Sequence, residues 1–232
     1  GGGVNWGAGG GFSIEQCSAF GIPDAESAPR FREAVEIVLK AWTEERMSFR
    51  GRFHTFENVE VLPRPVQQPH PPVWMAAGSD SAITWAASRG FSILLGPHEG
   101  WNELSTKRKL YGESLRAAGH TLEGRDIPTA RLIALAATTA EAEAVARRGA
   151  EWLAASYIGP QHKRVAYQEH DREGMDTVEH YVRNVIIHGT PEMVVDRMRE
   201  LEATIPINYF MCAPLSRQTF TLLTEKVVPK LV

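Results

Sequence analysis

Apolar residues fall in short runs of three to five that alternate with longer stretches of helical periodicity. The clearest run is Pro72-Val73-Trp74-Met75-Ala76-Ala77, followed by Gly78 and then by Ser79-Asp80-Ser81. Such a run reads as a short buried strand. Gly78 frees the backbone to turn, and the three small polar residues offer N-caps to a helix that Gly90 ends. Phe91 to Leu95 repeats the strand signal. After it, Leu104, Arg108, Tyr111, Leu115 and Ala118 line one helix face up to Gly119. A third strand begins at Pro128, and Thr138 with Glu141 has capping-box spacing for a helix carrying Val145, Ala146, Gly149, Trp152 and Leu153. The last strand is predicted over Ile207 to Ala213, with a closing helix from Ser216 to Leu231.

Upstream, Val4-Asn5-Trp6 reads as a strand that breaks into Gly7-Ala8-Gly9-Gly10-Gly11. Alternation would place Asn5, Gly7 and Gly9 on one side and Trp6 on the other. Ser27 is a candidate cap with Pro29 in the first turn. Phe31, Ala34, Val35, Val38, Leu39 and Trp42 then form an amphipathic stripe. Met47 to Phe56 alternates around Arg50-Gly51 as a hairpin, and Pro63 to Pro72 is a stiff proline-rich link. Pro160 to Gly174 reads as a mobile polar insertion and Met175 to Ile187 as a helix. Thr190-Pro191 opens another helix, and His188 is expected at a helix C-terminus. Strands at Val4, Val73, Phe91, Ala130 and Ile207, separated by helices, give a parallel α/β fold in one domain spanning 1–232. Alternation alone admits either a doubly wound sheet or a barrel.

Composition narrows the class. With 43% hydrophobic and 23% charged residues and a formal charge of −3, the chain reads as a globular domain with no basic face for nucleic acid. Lys107-Arg108-Lys109 and Arg147-Arg148 read as solvated helix faces, and Trp42, Trp85 and Trp152 as helical core. Cys17 and Cys212 have neither disulfide-framework nor zinc-ligand spacing, so no metal is expected and a reducing cytoplasm fits. No apolar run approaches the ~20 residues of a membrane span. The chain opens on Gly1-Gly2-Gly3, which resembles neither a natural start nor a targeting segment.

The candidate chemistry sits where strands meet turns. The first N–H groups of a helix have no internal partner and carry the positive end of its dipole, so Gly78-Ser79-Asp80-Ser81 can hold a phosphate or can simply cap its own helix. Gly9 and Gly10 admit close approach of a ligand to the backbone, or relieve crowding where strands bend. Asn5 is a polar group among inward positions. His98, on a loop after a strand, is a candidate for handling a substrate or a proton; the alternative is an exposed loop histidine.

Read in order, several of these stretches resemble the bacterial luciferase-like flavin-dependent monooxygenases. They are Trp6 to Gly11, Phe20-Gly21-Ile22-Pro23, Arg30-Phe31-Arg32-Glu33-Ala34, Pro69 to Trp74 running into Ala76-Ala77-Gly78-Ser79, Trp85-Ala86-Ala87 with Gly90, and Gly189-Thr190-Pro191-Glu192. The resemblance implies a (β/α)8 barrel of which this sequence covers strands four to eight, with the first three βα units and their catalytic groups absent. It implies an oxidoreductase that takes reduced FMN from a flavin reductase and uses O2 to oxidise a small organic substrate. An F420-dependent hydride-transfer enzyme and a non-catalytic flavin-binding protein are the alternatives. Family members are often homodimers. The resemblance places the flavin phosphate at Gly78 and Ser79. The luciferases proper have an arginine in the turn after strand four, where this sequence has Gly10. A phosphate here is therefore expected to lean on helix N–H groups and hydroxyls.

Overall fold

The computed structural model describes residues 2–11, 14–156, 174–205 and 207–231. The elements follow in chain order. Strand β1 (Trp6–Ala8) precedes helices α1 (Ile14–Ala19) and α2 (Asp24–Thr43) and the hairpin β2 (Met47–Arg50) and β3 (Thr55–Val59). Next come β4 (Val73–Ala76), α3 (Asp80–Ser88), β5 (Ser92–Leu94), α4 (Trp101–Ala117), β6 (Pro128–Leu135) and α5 (Thr139–Ser156). The remainder is α6 (Thr177–His180), β7 (Ile187–Gly189), α7 (Pro191–Thr204), β8 (Tyr209–Pro214) and α8 (Arg217–Leu222).

The five expected strands are all present and parallel. β4 lies between β1 and β5, and β6 between β7 and β8. The two ladders join where Leu95 pairs with Thr129: Leu95 N–H donates to Pro128 O at 2.8 Å and Ala130 N–H to Leu95 O at 2.9 Å. β4 and β8 are thus three strand spacings apart, about 14 Å in a flat sheet. Yet the rings of Trp74 and Tyr209 meet edge to face at 5.2 Å. The strands therefore curl, concave on the side of these two rings.

Outside the curl, Val73, Met75, Ile93, Leu95, Ile133 and Leu135 pack with Ile83, Ala86 and Ala87 of α3, Leu104, Tyr111 and Leu115 of α4, and Val194 and Met198 of α7. Leu132 and Ala134, on the other face of β6, pack with Val145, Ala146, Ala150 and Leu153 of α5. A strand covered on both faces needs a continuous apolar run, which is what Leu132 to Leu135 supplies. Trp152 departs from the predicted stripe: Ala150 turns inward in its place, and Trp152 is 63% exposed.

Local caps form as their residue types dictate. Ser79 Oγ accepts Ala82 N–H at 3.3 Å, Thr138 and Glu141 bond reciprocally, and Ser216 Oγ accepts Thr219 N–H at 3.0 Å. Four boundaries differ from expectation. Helix α2 starts a turn early behind Pro23, whose φ of −58° suits entry to a helix, so Ser27 lies inside it and donates to Gly10 O at 3.3 Å. The segment after α6 widens into a π-turn at Tyr181–Val185 and stops. Ile187–Gly189 then pairs with β6, so His188 sits on a strand rather than at a helix end; three residues are too few to show a period of two. The closing helix breaks after Leu222 into a π-turn and a 3-10 turn. The insertion expected at 160–174 lies outside the described residues except for Gly174.

Candidate functional site

A cavity of about 1050 Å³ opens at the C-terminal ends of β1, β4 and β5. Gly9, Gly10, Gly78, Ser79, Ser81 and His98, six of the seven residues singled out in the sequence, line it. Asn5 does not. It precedes the first residue of β1, at the opposite end of that strand, and is exposed. Alternation fixes a face, but where along the strand the mouth opens is set by the neighbouring elements.

The glycines work differently from one another. Gly11 has φ of +77°, so it is the residue that turns the chain after β1. Gly78, in the turn from β4 to α3, does not sit at positive φ, and a Cβ there would meet no atom within 4 Å. What Gly78 provides is room. At Gly10 a Cβ would press on the Phe31 ring at 3.2 Å. Phe31 and Trp85 form an aromatic wall of the cavity, edge to face at 6.1 Å, so Trp85 has a cavity-facing role beyond core packing.

At the N-terminus of α3 the hydroxyls of Ser79 and Ser81 lie 3.2 Å apart. The charge missing at Gly10 arrives from elsewhere. Arg32, from α2, reaches this corner, donates through Nη2 to Ser81 O at 3.5 Å and sits 5.3 Å over the Trp85 ring. Among the described residues no carboxylate lies within ion-pairing distance of it. Two hydroxyls, helix N–H groups and a half-buried guanidinium lie together at one corner of the cavity, a donor set of the kind that suits an anion, with the carboxylates of Asp24 and Asp80 on the same wall. Arg32 was visible in the sequence only as part of a motif; that it comes to α3, 49 residues on, is tertiary information.

The other end of the cavity is the loop Gly96-Pro97-His98-Glu99 with Glu103 and Lys107. Lys107, expected on a solvated face, is 5% exposed, with Nζ 3.0 Å from Glu99 Oε1 and 2.7 Å from Glu103 Oε1. Burial alone would push its pKa down, but the two carboxylates more than offset this and raise it. Beneath the loop lies Arg131, fully buried. Its Nη1 donates to Glu99 O at 3.0 Å, its guanidinium stacks on Trp101 at 4.7 Å, and burial pushes its pKa down to about 10. His98 Nδ1 lies 2.9 Å from the Tyr181 hydroxyl. Burial, with help from Arg131 and against Glu99, holds His98 below the usual histidine pKa. Neither Arg131 nor Tyr181 was singled out in the sequence; an arginine inside an otherwise apolar strand run was the one available signal.

Among the described residues there is no cluster that could hold a metal ion, and no helix long and apolar enough to cross a membrane. Cys17 and Cys212 are both free thiols.

Known proteins share this architecture. The crystal structure of the monooxygenase RslO1 from Streptomyces bottropensis superposes with a TM-score of 0.76 at 25% identity, covering 98% of this chain and 69% of that one. An F420-dependent glucose-6-phosphate dehydrogenase from Kineococcus radiotolerans is 32% identical over 108 residues, 45% of this chain and 32% of its own length. The FMNH2-dependent dimethylsulfone monooxygenase of Pseudomonas putida is 35% identical over 72 residues, 30% of this chain and 20% of its own. The matched stretches thus span a third or less of these two curated relatives. The profile of the luciferase-like monooxygenases matches residues 1–206. With that match over most of its length and the parallel strands and helices described above, the chain belongs to the luciferase-like monooxygenase family of oxidoreductases.

Proposed function

We propose that this chain is a flavin-dependent monooxygenase that binds reduced FMN in the cavity at the ends of β1, β4 and β5 and oxidises a small organic substrate with O2. The observation that carries the reading is the convergence of Ser79, Ser81, the first N–H groups of α3 and Arg32 on one corner of a cavity large enough for a mononucleotide. The phosphate sits at that corner. Gly9, Gly10 and Gly78 leave the space beside it empty of side chains, and Phe31 and Trp85 offer apolar surface. The flavin supplies the electrons for the reaction with O2, and a separate flavin reductase supplies the reduced flavin. The protein's part is to bind, to orient and to exclude water.

The curled run of parallel strands corresponds, in this reading, to strands four to eight of a (β/α)8 barrel, with residues 1–232 forming part of one such domain in a homodimer. An F420-dependent hydride-transfer enzyme is the second reading, favoured by the matched stretch shared with the Kineococcus dehydrogenase. Binding without turnover is the third. Titration of the protein with reduced FMN, riboflavin and F420, followed by fluorescence, separates the first two, and substrate-dependent product formation with reduced FMN and O2 separates the first from the third. FMN is expected to bind at least about tenfold more tightly than riboflavin, a preference of ~1.4 kcal/mol for the phosphate. Equal affinity for FMN and riboflavin would remove the phosphate from the Ser79 corner, and tight binding of F420 alone would overturn the FMN reading in favour of the second.

A further inference from the structure

The polar end of the cavity carries one carboxylate oxygen that the fold leaves without a donor. Glu99 lines the cavity and is 9% exposed. Lys107 Nζ holds its Oε1 at 3.0 Å, and Arg131 holds the loop from below through Glu99 O at 3.0 Å and Gly96 O at 3.5 Å. The carboxylate is thus fixed by one atom and by its own backbone. Its other oxygen, Oε2, accepts no hydrogen bond among the described residues. A desolvated carboxylate oxygen with no donor is costly to keep, and apolar side chains of similar volume would hold a loop as stably.

The surroundings of Oε2 define the donor that suits it. Gly96 lines the cavity beside it, and a Cβ at that position would lie 3.3 Å from Oε2. Gly96 does not sit at positive φ, so what glycine supplies there is clearance over the carboxylate. Arg131 Nε and Nη2 lack acceptors as well, but neither bonds Oε2, and Arg131 is not part of the cavity wall. Charge balances at this end: the carboxylates of Glu99 and Glu103 stand against the cations of Lys107 and Arg131, two against two. A charged group on a ligand finds no counterion left over, whereas a neutral O–H or N–H finds an acceptor in Oε2. Met75, Ala77, Leu94 and Pro97 add apolar surface to the same cavity.

We propose that Glu99 is a specificity-determining residue whose Oε2 accepts a hydrogen bond from the substrate, and that the substrate is a small neutral molecule with an apolar body and an O–H or N–H donor. This rests on the reading of the cavity as the reaction pocket. Lys107 and Arg131 act through Glu99, the one by pinning Oε1 and the other by pinning the loop. A fixed, desolvated acceptor discriminates against an analogue that lacks the donor, because that analogue displaces water and leaves the oxygen unpaired.

The test uses the cofactor-free chain with cyclohexanol and cyclohexanone, two probes of equal size of which only the first can donate. Binding is followed by 13C NMR on protein labelled at glutamate Cδ, with the Glu99 signal assigned from its loss in Glu99→Gln. Cyclohexanol is expected to move the Glu99 signal and to bind at least about tenfold more tightly than cyclohexanone. Gly96→Ala sets a methyl 3.3 Å from Oε2 and is expected to cut that preference to about twofold or less. Equal affinity for the two probes, a Glu99 signal that neither probe moves, or a preference retained in full by Gly96→Ala would overturn the proposal. If Gly96→Ala does not fold, the wild-type comparison decides alone. FMN is titrated separately. A preference for cyclohexanol without FMN binding would overturn the flavin reading and leave the acceptor role standing; FMN binding without the preference would do the reverse.

Discussion

Lys107 is the side chain whose removal tests the polar end of the cavity most directly. Its Nζ lies 3.0 Å from Glu99 Oε1 and 2.7 Å from Glu103 Oε1, and the three side chains are 6%, 11% and 10% exposed. At an effective dielectric of about 20, one such contact is worth roughly 5 kcal/mol of Coulomb attraction, much of it offset by the cost of taking the charges out of water. Lys107→Met keeps most of the volume and leaves two carboxylates together in a nearly dry site. Breaking a buried pair in this way costs about 3–5 kcal/mol, a large share of the roughly 5–15 kcal/mol that stabilises a typical domain. Equilibrium urea unfolding at neutral pH reads the loss as a lower midpoint at unchanged slope. The double variant Lys107→Met, Glu103→Gln should recover at least about 1 kcal/mol of the loss, because the carboxylate pair is then reduced to Glu99 alone, whose charge is still opposed by the buried Arg131. A single variant that loses less than about 1 kcal/mol, or a double variant no more stable than the single, would refute the reasoning.

Three further outcomes follow from the geometry. Gly78→Val adds its methyls to open cavity beside Ser79 and should weaken FMN binding by about tenfold or more while leaving the urea midpoint in place; wild-type affinity would put the cofactor elsewhere. Gly51→Ala sets a Cβ within 2.5 Å of Glu33 Oε2 and Phe49 Cε1. That carboxylate accepts the N–H groups of Arg52, Phe53 and His54, so a stability loss of about 1–3 kcal/mol in thermal or urea unfolding is expected, and an unchanged midpoint would count against the hairpin turn as described. The Tyr111 hydroxyl donates to Phe91 O at 2.7 Å, and burial pushes its pKa up to about 12. The unfolded chain loses that proton near pH 10, so this contribution is present below pH 10 and lost between about 10 and 12. Tyr111→Phe should cost about 1–3 kcal/mol at neutral pH and show a shallower alkaline decline in urea midpoint than wild type; parallel declines would refute it.

Much of the fold was legible because it depends on near neighbours in sequence. A run such as Val73 to Met75 makes a strand in any context that buries it. Ser79, Thr138 and Ser216 cap helices because their oxygens reach an N–H three residues on. The positions of Gly9, Gly10, Gly78, Ser79, Ser81 and His98 at strand ends followed from the same local signals, which is why they arrive at one cavity.

What the tertiary structure decided concerns partners far apart in the chain. The pattern Lys107-Arg108-Lys109 looks the same whether solvated or buried; only the approach of Glu99 and the packing around α4 made Lys107 interior. Arg32 meets Ser81, Arg131 meets Glu99 and Tyr181 meets His98 over separations of 49, 32 and 83 residues, where no periodicity carries information. Asn5 failed for a related reason, since alternation tells which face a residue takes but not which end of the sheet becomes the mouth. Secondary structure is a local free-energy balance that composition and spacing largely settle. The burial of a charge is a pairwise balance between desolvation and a distant counterion, and it exists only once the chain has folded.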